Sequence, residues 1–246
     1  MQKFFTVIGG MGTAATESYL RLLNARTPVH CDQDYLNYIL VNHATVPDRT
    51  RYILDHTAPS FYPALLEDIK QQSLLQPAFM VIICNTAHYF YDQLQAATTI
   101  PLLHMPRVAI ATLKKQYPQV RKVGLIATKG TLADGIYQGE LRRQGLEYTE
   151  GDAQLQEDVM TLIYDHIKEK NQVPPTLYHH ILEQMKTKFG AEVIILGCTE
   201  LSLAQEKAPT PEYAVIDAQS IIVDQSIRLA QRLRGGQALE IDSCYY

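Results

Sequence analysis

The chain has 246 residues, of which 46% are hydrophobic and 20% are charged, and its formal net charge at pH 7 is −4. This composition excludes the disordered class and supports a buried core, in one large α/β domain or in two smaller domains. The sequence has no basic stripe interleaved with aromatic residues, which argues against a nucleic-acid partner. Its apolar stretches are too short for a secretory signal or a membrane span, so we expect a cytoplasmic protein with no membrane partner.

Short apolar runs rich in β-branched residues alternate with longer amphipathic stretches along the chain. The strands are predicted, in chain order, at residues 4–8, 36–41, 79–83, 102–103, 123–127, 193–196 and 214–216. The helices are predicted at about residues 14–24, 59–75, 107–116, 132–144, 155–169, 175–189 and 220–233. This alternation of strands and helices predicts an α/β fold with mainly parallel sheets.

Several segments of the first half recur in the second half, in the same order and at nearly the same offset. The run that ends at Cys84-Asn85-Thr86 resembles the run that ends at Cys198-Thr199. Two further pairs of segments show the same relation, residues 7–13 with 125–131 and residues 102–104 with 215–217. These pairs predict a pseudo-duplicated chain of two similar halves, and chance similarity of short apolar strings is the alternative.

Cys84 and Cys198 each end a predicted strand and precede a helix. Ligands of parallel α/β sheets gather at the carboxyl ends of the strands, where the N–H groups of the following helix favour anions and lower the pKa of a thiol. A single free cysteine is more often a small buried apolar residue, but two at equivalent positions favour reactive thiols. Two matched thiols suit a racemase, which removes a proton from one face of a carbon and returns one to the other. Cys31 and Cys244 receive no role.

A cysteine hydrolase would instead need a histidine base beside its nucleophile. His88 lies one helical turn after Cys84, which does not suit that geometry. His104 is the other candidate base, and its position is equally consistent with a hydrogen-bonded histidine near the end of a strand.

The loop at residues 9–13 follows the first strand and is a weak match to a dinucleotide-binding fingerprint. The acidic residue that NAD binding requires after the second strand is missing, so we predict an anion-binding turn, with residues 128–131 as its counterpart. Arg49 follows the second strand and can hold a carboxylate through two parallel hydrogen bonds, or pair at the surface with Asp48 or Asp55. Lys168, taken alone, is typical of a solvated helix end.

Four short motifs together resemble the aspartate/glutamate racemase family, and within it the aspartate racemases. They are Gly-Gly-Met-Gly at residues 9–12, Pro-Asp-Arg-Thr at 47–50, Cys-Asn-Thr-Ala-His at 84–88 and Gly-Cys-Thr-Glu at 197–200. The resemblance implies two similar α/β domains with the active site in the cleft between them. Residues 1–100 plus 218–246 would form the first domain and residues 101–217 the second. It also implies a homodimer that uses neither pyridoxal phosphate nor a metal.

By the same resemblance, Cys84 and Cys198 are the acid and base that interconvert L- and D-aspartate by 1,1-proton transfer. Arg49 and Lys168 would meet the side-chain carboxylate of the substrate. Met11 and Glu200 stand where glutamate racemases carry a different loop and a histidine, which favours aspartate. The substrate-binding residues that the resemblance implies are thus Met11, Arg49, Asn85, Thr86, Thr128, Thr131, Lys168, Thr199 and Glu200.

Three alternatives to an aspartate racemase remain at this point. The first is a racemase of glutamate or of a broader range of amino acids. The second is a thiol-dependent diacid isomerase, decarboxylase or hydrolase, although the relatives that follow such routes include some with only one thiol. The third is an amino-acid sensor without catalytic activity, which the two intact cysteines disfavour.

Overall fold

A computed structural model describes residues 3–239 and 241 of the chain. Within this range the strands are β1 (Phe5–Gly9), β2 (Tyr38–Asn42), β3 (Met80–Ile82), β4 (Leu102–Leu103), β5 (Lys122–Ile126), β6 (Glu147–Thr149), β7 (Val193–Leu196) and β8 (Val215–Asp217). The helices are α1 (Thr13–Arg26), α2 (Arg49–Leu54), α3 (Tyr62–Ser73), α4 (Tyr91–Ala96), α5 (Met105–Gln116), α6 (Lys129–Asp134), α7 (Ile136–Arg143), α8 (Ala153–Met160), α9 (Pro175–Thr187), α10 (Thr199–Lys207) and α11 (Ala218–Arg234). Short 3₁₀-helices cover Asp32–Asp34 and Thr86–Phe90, and a π-helix covers Thr161–Lys168. None of the helices in the described range is both long and apolar enough to cross a membrane.

The strands form two parallel sheets with the same internal order, β2-β1-β3-β4 and β6-β5-β7-β8. In each half, the strand before the cysteine pairs with the first strand of that half, β3 with β1 and β7 with β5. The predicted α/β class with two similar, mainly parallel sheets is therefore confirmed. Because both sheets have the same order, Cys84 and Cys198 follow equivalent strands.

The strands β1, β3 and β7 are buried at every residue, as their continuous apolar sequences predict for strands covered on both faces. One large apolar core contains residues from both sheets and from the helices between them, including Phe5, Val81, Leu125, Ile195 and Leu229. Smaller cores fill the outer face of each half. The shared core holds the two sheets together and fixes the cleft between their carboxyl ends.

The structure departs from the predicted elements at several places, and the predicted helices did not include α2, α4 and α10. The helix predicted at residues 132–144 is divided into α6 and α7 by Gly135, whose φ of +76° is a left-handed conformation that glycine adopts without strain. The helix predicted at residues 155–169 continues from α8 into the π-helix. The strand β6 was not predicted because it is only three residues long and its residues are exposed or half-buried.

The predicted division into domains at residues 1–100 plus 218–246 and 101–217 stays a prediction. The strand β4 pairs with β3, so it belongs to the first sheet although the predicted boundary assigned it to the second domain. We propose that the boundary lies after residue 103. Residues 1, 2, 240 and 242–246, with Cys244 among them, lie outside the described residues.

Candidate active site

A cavity with about 270 Å³ of empty space, part of it open to solvent, lies at the carboxyl ends of the strands of both sheets. It is lined by Met11, Arg49, Thr50, Cys84, Asn85, Thr86, Thr128, Tyr164, Lys168, Cys198, Thr199 and Glu200. The structure thus brings together every residue that the sequence singled out for the site except Thr131. Two further residues, Thr50 and Tyr164, contribute to the lining although the sequence reasoning did not select them.

Each of these two residues had a signal in the sequence. Thr50 ends the Pro-Asp-Arg-Thr motif and is the second residue of α2. Tyr164 precedes Lys168 by four positions in the π-helix, a type of helical turn that is frequent at functional sites. The hydroxyl of Tyr164 donates to Asp48 Oδ2 at 3.3 Å, which joins the π-helix to the start of α2 across the cleft.

Cys84 follows β3 and is held by a hydrogen-bonded turn. The ring of His88 lies in the 3₁₀-helix after it, with Nδ1 2.9 Å from the Cys84 carbonyl oxygen. The backbone N–H of Met105 donates to Nε2 of the same ring at 3.2 Å, so Nε2 is unprotonated and Nδ1 carries the hydrogen. His88 therefore links the cysteine turn to the start of α5 and does not act as a base for the thiol. His104 caps α5 by accepting from Arg107 N, the hydrogen-bonded role considered from the sequence.

Burial lowers the pKa of His88 to about 4, below the value of 6.5 for an exposed histidine. In the unfolded chain His88 is protonated as the pH falls below 6.5, whereas in the folded protein it stays neutral until about pH 4. The free energy of unfolding therefore has its full value, as far as His88 is concerned, above pH 6.5 and decreases as the pH falls from 6.5 towards 4. We expect His88→Gln to lower the free energy of unfolding at pH 7. The difference in free energy of unfolding between the wild type and this variant should be smaller by about 2 kcal/mol at pH 5, because only the wild type loses stability through His88. Urea unfolding at both pH values measures this gap. The exposed His56→Gln is the control, and a gap that stays constant would contradict the prediction.

Cys198 is the residue that precedes α10, and its side chain is buried. Its Sγ donates to Glu200 Oε2 at 2.8 Å. Burial raises the pKa of the Cys198 thiol well above its usual range, the negative charge of Glu200 raises it further, and the charge of Lys168 opposes both. Cys198 is therefore a protonated thiol in this structure at neutral pH.

Lys168 and Glu200, both assigned to substrate by the resemblance, form an ion pair with each other. Lys168 Nζ lies 2.5 Å from Glu200 Oε1, and the Glu200 side chain is only 4% exposed. Burial disfavours the charge of Lys168, but the negative charge of Glu200 and its hydrogen bond oppose this effect, and the pKa of Lys168 is raised. The same ion pair keeps the pKa of Glu200 lowered despite its burial. Both groups therefore stay charged, and the lysine is not a solvated helix end.

Arg49 connects the loop after β2 to the loop after β1. Its Nη1 donates to the carbonyl oxygens of Val46 and Pro47 at 3.1 and 3.0 Å, and its Nη2 donates to that of Met11 at 2.9 Å. None of these three hydrogen bonds goes to Asp48 or Asp55. Its Nε is buried without a hydrogen-bond partner among the described residues.

Asn85 also has a buried donor without a partner. Its Oδ1 accepts from the Tyr137 hydroxyl at 2.6 Å, which fixes the orientation of the amide. The opposite end, Nδ2, is buried and has no partner among residues 3–239 and 241. An unpaired buried donor costs about 1–3 kcal/mol, so these two groups are available to an acceptor oxygen that enters the cavity.

Three threonine hydroxyls meet at the wall between the two halves. Thr86 Oγ1 lies 2.8 Å from Thr131 Oγ1 and 3.2 Å from Thr128 Oγ1. Thr128 precedes α6 and accepts from the backbone N–H of Thr131 at 3.2 Å. Thr131 is fully buried behind the other two, which explains its absence from the cavity lining.

The glycine loop after β1 makes a close backbone contact. Gly10 has a φ of +91°, and a Cβ atom there would lie 2.5 Å from the carbonyl carbon of His43. Its N–H donates to Thr16 Oγ1 at 3.0 Å, so this donor of the predicted anion-binding turn is already used. Gly12 lies against Glu200, because a Cβ atom at Gly12 would be 3.3 Å from Glu200 Oε1. The loop therefore closes one side of the cavity over the Lys168–Glu200 pair.

Cys31, which received no role, is exposed. No group of three or more histidine, cysteine, aspartate or glutamate side chains in the described part of the chain is arranged to hold a metal ion.

Comparison with known proteins identifies a protein family that this chain matches. The model of the Asp/Glu/hydantoin racemase family matches residues 8–226. The broad specificity amino-acid racemase RacX of Bacillus subtilis (strain 168) is 22% identical over 229 residues, which cover 90% of this chain and 95% of that protein.

Solved structures match over nearly the whole chain. The aspartate racemase of Picrophilus torridus superposes with a TM-score of 0.78 and 26% identity, over 97% of this chain and 96% of that one. The glutamate racemase of Francisella tularensis subsp. tularensis SCHU S4, solved in complex with D-glutamate, superposes with a TM-score of 0.65 and 16% identity, over 99% and 86% of the two chains. The second likeness shows a common fold.

Proposed function

Because the chain belongs to the Asp/Glu/hydantoin racemase family and is thus a racemase, an isomerase, we propose that it interconverts L- and D-aspartate with Cys84 and Cys198 as opposed acid and base. The observation that carries this proposal is the lining of the cavity. Two thiols from equivalent loops of the two halves meet there with two buried N–H donors, Arg49 Nε and Asn85 Nδ2, that lack partners among the described residues.

In the proposed reaction, one sulfur as thiolate removes the α-proton and the other as thiol delivers its proton to the opposite face of the carbon. The roles reverse for the other enantiomer, so both directions need one protonated and one deprotonated sulfur. The difficulty is the very weak acidity of the α-proton, which requires stabilisation of the negative charge that develops on the α-carboxylate. Asn85 Nδ2 and the N-terminal end of α10 supply fixed donors for that charge.

These residues supply an acid, a base and charge stabilisation, so the proposed reaction uses no pyridoxal phosphate and no metal. Thr86, Thr128 and Thr199 would orient the α-carboxylate and the amino group, with Thr131 holding the first two. Loss of one such fixed donor costs roughly 10²–10³ in rate in other enzymes, which sets the scale of their contribution.

Aspartate is favoured because Arg49 offers its Nε–H to an anion and because Picrophilus aspartate racemase is similar over the whole length. A second candidate, a broader range of amino acids, is favoured by one observation. Lys168 is already paired with Glu200, so less positive charge is available to a distal carboxylate than the two basic residues suggest. The similarity to the Bacillus broad specificity racemase points in the same direction.

A chiral assay of the purified protein against a panel of amino acids, without added cofactor, tests this proposal. We expect L- and D-aspartate each to reach a 1:1 mixture, faster than any other amino acid. Faster turnover of neutral amino acids would support the broader range. Binding of aspartate without any change of configuration would instead indicate a sensor and overturn the proposal.

Arg49→Lys is expected to lower kcat/KM for aspartate by at least about 100-fold, because lysine cannot donate to three carbonyl oxygens and also present a further N–H. Racemisation of a neutral amino acid, where it is measurable, is expected to fall less. The measurement is kcat/KM for both substrates in both proteins. The control is Arg51→Lys at an exposed position two residues away. Equal losses on both substrates would show that Arg49 only organises the loops.

We also propose that the protein is a cytoplasmic homodimer, as the resemblance implies. Light scattering after size-exclusion chromatography tests the dimer, which would be contradicted by a mass near 27.8 kDa for a single chain. Fractionation of the source cells tests the compartment.

A further inference from the structure

We propose that Glu200 makes the two cysteines unequal in the resting enzyme, by holding a proton on Cys198 so that Cys84 is the sulfur that acts first as the base. This inference rests on the proposed two-cysteine reaction and deepens it. Glu200 is then a positioning residue that acts through Cys198, and not a contact of the substrate carboxylate as the resemblance implies.

The two oxygens of Glu200 are both occupied by donors from the site. Oε2 accepts from Cys198 Sγ at 2.8 Å and from Thr199 Oγ1 at 3.3 Å, and Oε1 accepts from Lys168 Nζ at 2.5 Å. The hydrogen bond from Cys198 exists only while the thiol keeps its proton. If Cys198 lost its proton, a thiolate and a carboxylate would face each other at that distance in a buried site, an arrangement that is strongly unfavourable.

Cys84 has different neighbours. The cations Arg49 and Lys168 both interact with it, Arg49 also through a side-chain hydrogen bond, and among the hydrogen bonds of the described residues none runs from its sulfur to a carboxylate. The difference comes from the residue two positions after each cysteine, which is Thr86 in the first half and Glu200 in the second. The two halves repeat the same loop but differ in charge at this position.

The proton balance of a turnover follows from this difference. Cys84 as thiolate takes the α-proton while Cys198 gives its proton to the opposite face, which leaves Cys84 protonated and Cys198 as thiolate. To return to the resting state, Cys84 releases a proton to water and Cys198 takes one up. Glu200 drives this return, because its carboxylate disfavours the Cys198 thiolate.

A kinetic asymmetry between the enantiomers is the expected consequence. The enantiomer that binds the resting state should have the lower KM and the lower kcat. The ratio kcat/KM must be the same for both enantiomers, because they have equal free energies. Glu200→Gln should reduce the difference in KM between the enantiomers, a change that a residue with only a packing role would not cause.

Alkylation of each thiol by iodoacetamide at pH 7.5, quantified by mass spectrometry of the two cysteine peptides, tests the proposal directly. The two side chains are almost equally buried, at 6% and 5% exposed, so access alone does not predict different rates. We expect Cys84 to react at least about tenfold faster than Cys198 in the wild type. In Glu200→Gln, Cys198 should react about tenfold faster than before, with Cys84 changed less than about twofold. The control Glu183→Gln removes the same charge from an exposed position on α9 and should change neither rate.

Two results would overturn the proposal. One is equal alkylation of both sulfurs in the wild-type protein together with equal KM values for the two enantiomers, a test that needs no folded variant. The other is a parallel rise of both rates in Glu200→Gln, which would indicate a loosened site. Unequal alkylation in a protein that racemises nothing would refute the proposed function and support only the difference in protonation between the two sulfurs, so the two failures are distinguishable.

Discussion

Replacing Cys84 or Cys198 by serine is expected to lower the rate of aspartate racemisation at least about 1,000-fold. A serine hydroxyl is a much weaker acid than a thiol, so it can neither remove the α-proton as an anion nor supply a proton at a useful rate. Both residues line the same cavity from equivalent loops, and each is needed in both directions of the reaction. The double variant should be little slower than either single variant, because the two residues act as a unit.

Racemisation rates measured by chiral chromatography check this expectation, with circular dichroism to confirm that the variants fold. Cys31→Ser is the matched control, since Cys31 is exposed and away from the cavity, and it should keep wild-type activity. A variant at Cys84 or Cys198 that retains more than about a tenth of the wild-type rate would contradict the two-base assignment.

Gly130→Ala is expected to lower kcat about 100-fold, although the substitution adds only one methyl group. A Cβ atom at Gly130 would lie 2.7 Å from the Cα atom and 2.9 Å from Oγ1 of Thr50. Thr50 belongs to α2 in the first half and Gly130 to α6 in the second, so the two halves must move apart to make room. Both helices begin at the cavity, and misplacement of reacting groups by about 1 Å can cost this much rate.

The same clash should lower the free energy of unfolding by about 1–3 kcal/mol, the usual cost of an added group in a packed contact. Gly139→Ala is the control, because no atom lies within 4 Å of its Cβ position in α7 and alanine favours a helix. Steady-state kinetics and thermal unfolding of both variants provide the comparison. Wild-type kcat in Gly130→Ala would show that the cleft tolerates the change and that the close contact is not required.

The fold was predictable because its strands are short apolar runs that end at polar, glycine-containing loops. Parallel strands buried on both faces need such runs, so β3 and β7 and the cysteines after them were evident. The predicted boundary at residue 100 separates Leu102–Leu103 from the sheet that this strand joins, and this has a physical reason. Leu102–Leu103 gives no local sign of which sheet it joins, because that depends on pairing with β3.

The lining of the site was largely predictable because its residues follow strands whose carboxyl ends converge. Its internal pairing was not. The sequence assigned Lys168 and Glu200 to substrate, whereas the structure pairs them with each other across 32 positions of the chain. It allowed Arg49 a carboxylate partner at the surface, but the guanidinium group donates to three backbone carbonyl oxygens. Long-range pairs of charged side chains depend on how the two halves dock, and no local pattern encodes that.

The most direct test of the two-sulfur mechanism is the fate of the α-hydrogen during the first few per cent of conversion of unlabelled L-aspartate in deuterated water. If one sulfur removes the proton and the other supplies a solvent-derived one, the D-aspartate formed should carry deuterium at Cα, while the remaining L-aspartate keeps its protium. Protium in the D-aspartate, or deuterium entering the L-aspartate faster than inversion occurs, would mean that a single base serves both faces and would contradict the account.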